Sequence, residues 1–270
     1  MAFTDNSDLY GAIHEEGINL VVRHLMSQRP SVFNYATAQV AENQQLWCAK
    51  INVAPGVTDK YYTDKYGKNP IFTIEKPLPV LGTNGAVGMN FCFHLVQAQI
   101  DFHPGNILTL PPELNPPLAE QHFAANIRVC GGLGCPSKET LDNVQIPTGD
   151  QPPIILPAQQ LACFCLDLFV VGHVEITTNL AGKQQLKTKV DGLEIVDMQP
   201  EGLENSCECY LNTLVQLVIL PRVSVAVEKL TFEILKGLPK IVLSASTKVP
   251  NNPAIEDNQL KVFIEVEVLP

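Results

Sequence analysis

Basic residues are scarce in this 270-residue chain: 18 Lys and Arg stand against 28 Asp and Glu, for a net charge of −10. Clustered cations are what hold a phosphate backbone, so nucleic acid is not expected as a partner. Long apolar runs are missing too. No stretch reaches the roughly 18–20 uncharged residues of a transmembrane helix, and the opening MAFTDNSDLYGAIHEEG lacks the basic-then-apolar order of a secretory signal. These absences lead to the expectation of a soluble, acidic, cytoplasmic protein whose eight cysteines are reduced. Catalytic signatures are absent as well: there is no Gly-x-Ser-x-Gly elbow and no His-Glu-x-x-His spacing. The run Cys130-Gly-Gly-Leu-Gly-Cys135 lacks the Lys-Ser/Thr of a phosphate loop. No internal repeat of about 20–50 residues is detectable. The chain is therefore expected not to be an enzyme.

Metal-ligand spacing is thin. Cys130/Cys135, Cys163/Cys165 and Cys207/Cys209 are close pairs, but structural zinc sites space their pairs by two to four residues, and a gap of one does not fit. On a helix, Cys207 and Cys209 would also point about 200° apart. His94, His122 and His173 fall on separate strand-like segments with no ligand motif, which favours ordinary core or surface histidines. Neither a metal nor a cofactor is expected.

What is present is periodicity. Residues 8–28 read as a helix with Leu9, Ile13, Leu20, Val21, His24 and Leu25 on one face, capped by Asp5 or Ser7 and stopped by Pro30. Gly17 inside it suggests close approach of another backbone. Strand patterns follow through residues 36–198. In Met89 to Phe102, Phe91, Phe93 and Leu95 face one way and Val96, Ala98, Ile100 and Phe102 the other, which predicts a bulge near the middle. Leu161 to Thr178 is the clearest strand, with Phe164, Leu166, Leu168, Val170, Val174 and Ile176 forming one apolar face at period two. A second long helix is expected over 201–235, kinked at Pro221, with Leu214, Leu217 and Val218 in its apolar stripe. Val223, Val225 and Val227 there alternate as in a strand as well. Two closing strands occupy 240–268. With no helices between the middle strands, parallel crossovers are disfavoured and an α+β domain spanning 1–270 is expected.

Three segments carry a family resemblance. IHEEGINLVVRHL (13–25) resembles the opening helix of the tubular lipid-binding superfamily. VDGLEIVDMQPEGLENSCECYLNTLV (190–215) resembles the strand that leads into its second helix, and SASTKVPNNPAIEDNQLKVFIEVEV (244–268) its closing segment. The resemblance implies a TULIP-like half-barrel: long helices cradled by a highly curved antiparallel sheet, with an apolar tunnel for acyl chains between them. It also implies a disulfide between the long strand and the second helix, as occurs in some secreted relatives.

The expected function is binding of an elongated apolar ligand, a lipid or fatty acid. Leu20, Val21, Leu166, Leu168, Val170, Val174, Ile176, Leu214, Leu217 and Val218 are its candidate lining. The alternative is a structural or accessory protein of a larger assembly with a filled interior, for which a protein partner or a homo-oligomer is the counterpart. A cavity between sheet and helix discriminates the two.

Overall fold

Alternation at period two, the pattern of a half-buried strand, governs most of the chain. The structure, a computed structural model, describes residues 5–57, 70–147, 151–178, 184–199, 225–226 and 241–268. The first part runs β1 (Leu9–His14), α1 (Glu15–Gln28), β2 (Asn34–Ala36), α2 (Ala38–Glu42), β3 (Thr73–Ile74), β4 (Leu78–Pro79) and β5 (Val87–Met89). The long strands β6 (Phe91–Phe102) and β7 (His122–Cys135) follow, then α3 (Lys138–Asn143) and β8 (Ile154–Leu156). The last part holds β9 (Gln160–Thr178), β10 (Gln184–Gln199), β11 (Val225–Ala226), β12 (Ile241–Ala245), β13 (Ala254–Glu256) and β14 (Gln259–Val268).

The main sheet has seven strands in the order β11-β10-β9-β7-β6-β2-β3, antiparallel except where β2 meets β3. A second sheet joins β1, β14 and β12, with β13 also on β14, and a small third sheet is β4-β5-β8. Burial along the middle of β9 follows the pleat. Leu166, Leu168 and Val170 are buried while Asp167, Phe169 and Val171 between them are half-exposed. The buried three pack with Phe102, Phe123, Leu193, Ile195 and Ile255. Val174 and Ile176 are half-buried, next to Leu186, Val262 and Ile264. In β6 the pairing with β7 shifts between Leu95 and Gln97, which is the bulge that the switch of apolar face predicts.

Three expectations are corrected. The first is the fold class. Among the described residues there are three α-helices, the longest of 14 residues, so the molecule is sheet-dominated rather than a set of long helices cradled by a curved half-barrel. Residues 9–14 are not helical but pair with β14, Leu9 opposite Ile264 through His14 opposite Gln259. The helix starts only at Glu15, capped by the His14 ring, which accepts the Glu16 N–H, and not by Asp5 or Ser7. The expected helix over 201–235, with Leu214, Leu217 and Val218, lies outside the described residues apart from Val225 and Ala226. Those two are strand and pair with Leu186 and Gln185, in keeping with the alternation of valines there. A Cβ on Gly17 would meet nothing within 4 Å, so no backbone among the described residues approaches it.

The second correction concerns α1. Its apolar face is turned out: Leu20, Val21 and Leu25 are 54%, 56% and 40% exposed, while Glu15 and Asn19 are buried. The reason is main-chain chemistry. β2 pairs with β6 only at Cys92, Phe93 and His94, and the rest of that edge needs hydrogen-bond partners. Asn19 Oδ1 accepts the Ile100 N–H at 2.8 Å and Asn19 Nδ2 donates to the Ile100 carbonyl at 2.7 Å. Glu15 Oε2 accepts the Phe102 N–H. The polar face of the helix thus stands in for a strand.

The third is the thiols. Cys130 and Cys165 face each other across β7 and β9 and are bonded, and Cys48 is bonded to Cys163. Cys163 and Cys165 are therefore not available to Cys207 or Cys209, which lie outside the described residues. Gly132 opens the space for the Cys48 bridge, since a Cβ there would stand 2.5 Å from Cys48 Sγ. Cys92 and Cys135 are free.

Candidate functional site

Where β2 has ended and Asn19 has not yet taken over, the outer edge of β6 opens onto a cavity of about 880 Å³. One wall is α1, from His14 to Ser27, and the other is Leu95 to Gln99 with the bulge at its start. Residues 50–52, Asn106, Ile107 and Asn258 also line it. Because Ile100 and Phe102 turn their N–H groups to the helix side, alternation turns Ala98 the same way, toward the cavity.

The lining is mixed. Met26, Phe33, Ile51, Leu95 and Ile107 are apolar, Arg23 and Lys50 bring positive charge, and Glu15 and Glu16 bring carboxyls. Burial raises the Glu15 carboxyl above its ordinary range, the Phe102 N–H works against that, and neighbouring Asp101 adds to it. Asp101 is itself held by the N–H groups of Asn106, Ile107 and Leu108 at 3.1, 2.9 and 2.7 Å.

Three of the lining residues carry buried atoms with nothing to bond. His94 is fully buried, with the Phe72 ring edge-on at 5.4 Å, and burial pushes its imidazole down to about 4, so the ring is neutral near pH 7. Neither ring nitrogen has a hydrogen-bond partner. Asn34 Oδ1 and Asn258 Oδ1 are buried without one as well. Among the described residues these four atoms are the buried side-chain N and O atoms left unpaired, and all four sit on residues that line this one cavity. An unpaired buried polar group costs about 1–3 kcal/mol, and such a cluster in one place calls for a ligand.

None of the candidate residues that fall among the described residues lines the cavity. Leu166, Leu168 and Val170 lie in the closed core, Val174 and Ile176 beside the second sheet, and Leu20 and Val21 on the outer face of α1. Leu214, Leu217 and Val218 are outside the described residues. Sequence reasoning missed Asn34, His94 and Asn258. The signal for His94 was present, a polar residue between Cys92 and Val96 on an apolar strand. His122 and His173, read as lying on separate strands, do converge, with Asp191 beside them.

No helix among the described residues is long and apolar enough to cross a membrane. Neither a family model nor a curated protein matches the chain. Among solved structures, the crystal structure of lipopolysaccharide binding protein is similar over 98% of this chain and 51% of that one, at 11% sequence identity and a TM-score of 0.27. The chain thus spans about half the length of the protein it matches.

Proposed function

We propose that the protein binds, without chemical turnover, an amphipathic ligand of the lipid or fatty-acid class in the cavity between α1 and β6. The observation that carries this reading is the set of four unpaired polar atoms on His94, Asn34 and Asn258, three residues that all line one space. A head group with hydroxyl donors can meet the two amide oxygens, an acid or hydroxyl oxygen can accept from the His94 ring N–H, and an apolar chain covers Met26, Phe33, Ile51 and Leu95. Each buried methylene adds about 0.8 kcal/mol, so a chain of several suffices for tight binding. The cysteine bridges support an oxidising compartment in place of the cytoplasm expected from composition.

The test is native mass spectrometry and solvent extraction of the purified protein, followed by titration of the stripped protein with a fluorescent fatty acid. Ligand is expected to copurify. Ile51→Trp, which fills space without removing a hydrogen bond, is expected to weaken fatty-acid binding at least tenfold while leaving the melting temperature in place. A protein that is ligand-free and binds no fatty acid favours the second reading, a structural or accessory subunit. The closed packing of Leu166, Leu168 and Val170 and the exposed apolar face of α1 support that alternative.

A further inference from the structure

We propose that His122, His173 and Asp191 form a binding site for a divalent transition-metal ion of the zinc class, separate from the cavity. His122 on β7 and His173 on β9 are direct partners in the ladder, with their rings edge-on at 5.8 Å. Asp191 is the extra residue of a bulge in β10, between Val190 opposite Gly172 and Gly192 opposite Val171. A bulge re-aims the side chain it carries. Here Asp191 Oδ2 comes 2.7 Å from His173 Nδ1 and 3.4 Å from His122 Nε2. Three adjacent strands thus bring three ligand atoms within 4.8 Å of one another. None of the three residues lines the cavity beside α1.

The contacts of His122 orient its ring toward Asp191. Its Nδ1 lies 2.7 Å from the Glu120 carbonyl, which can only accept, so a ring hydrogen sits on Nδ1 and Nε2 is the nitrogen turned to Asp191. That nitrogen stands 3.4 Å from the Asp191 carboxylate. A carbonyl on the far nitrogen is also how ligating histidines are oriented. Bonds of about 2.0–2.1 Å in a tetrahedron set ligand atoms about 3.3 Å apart, which the His122–Asp191 separation already matches. The His173–Asp191 pair must open by about 0.6 Å on that geometry, an adjustment within reach of side chains that are 33% and 37% exposed. Exposure also leaves a fourth position open to water. Two imidazoles and one carboxylate suit Zn²⁺, Ni²⁺ or Cu²⁺ rather than Ca²⁺ or Mg²⁺, which favour oxygen throughout.

The full-length protein, stripped with EDTA, is titrated with zinc chloride by calorimetry and with Co²⁺ by visible absorption. The expected result is saturable binding of one equivalent, with ligand-field bands from the cobalt form. His173→Ala and Asp191→Ala should each weaken binding at least tenfold without changing the metal-free melting temperature. His24→Ala, on exposed α1, should bind as the unchanged chain does. If an alanine variant fails to fold, His173→Gln and Asp191→Asn take its place with the same loss expected. Absence of one-equivalent binding, or binding that survives both substitutions, would overturn the site.

Discussion

At the scale of single residues, His94 links stability to function. Its ring is neutral in the folded protein because burial holds it down to about 4, whereas in the unfolded chain it takes a proton below about 6.5. The unfolded state therefore binds more protons through that window. Stability from this residue is complete above pH 6.5 and is lost progressively toward pH 4, by about 3 kcal/mol in all. His94→Phe, placed beside Phe72, removes the titration and two unpaired polar atoms together. Chemical denaturation from pH 7.5 to 4.5 should show the variant about as stable as the original chain, or about 1 kcal/mol more so, at neutral pH. At pH 4.5 it should be clearly more stable, and fatty-acid binding should fall at least tenfold. Glu15, raised by its own burial, has the opposite pH dependence, so the difference between variant and original isolates His94. Equal pH slopes in the two proteins would show that the His94 ring is not held neutral.

At the scale of elements, α1 tests which force orients a helix. Asn19→Ala strips the bonds from both main-chain groups of Ile100 and should cost about 2–4 kcal/mol in urea unfolding, since each unmet buried group costs about 1–3 kcal/mol. Leu20→Ser, on the outward face, should stay within about 0.5 kcal/mol. Equal costs would mean that the helix sits the other way round. On β9, Leu168→Ala should cost about 2–5 kcal/mol, because the residue is enclosed by the main core. These contrasts also show what was legible in the sequence. Alternation gave away β9 and β14, and the parity switch in β6 gave away its bulge, because a strand carries its own period. Periodicity misplaced α1 because it counts apolar side chains and takes no account of an unpaired strand edge. β13 and its turn into β14 went unread, although Asp257-Asn258, both at positive φ, is turn chemistry between two short strands. The cavity left almost no trace, since its walls meet only after β2 has stopped short on β6.

At the scale of the whole molecule the disulfides matter most, and no local pattern announces them. Their partners are 115 and 35 residues apart and are matched only by the register of β7 on β9 and by the gap at Gly132. Thiol titration of the denatured, unreduced protein should find no more than four free thiols among the eight cysteines. Eight would mean that neither bridge forms. Paired replacement of Cys48 and Cys163 by Ala should destabilise the chain by up to about 4–5 kcal/mol, the loop-entropy figure for a closure of this length. Both bridges fall within the first third of β9, which makes the sheet asymmetric in how it can come apart. Strands joined at one end can part only from the other. Amide protons along β9 should accordingly exchange fastest near Thr178 and slowest toward Cys165, and a protease that catches the opened form should cut on the β10 side first.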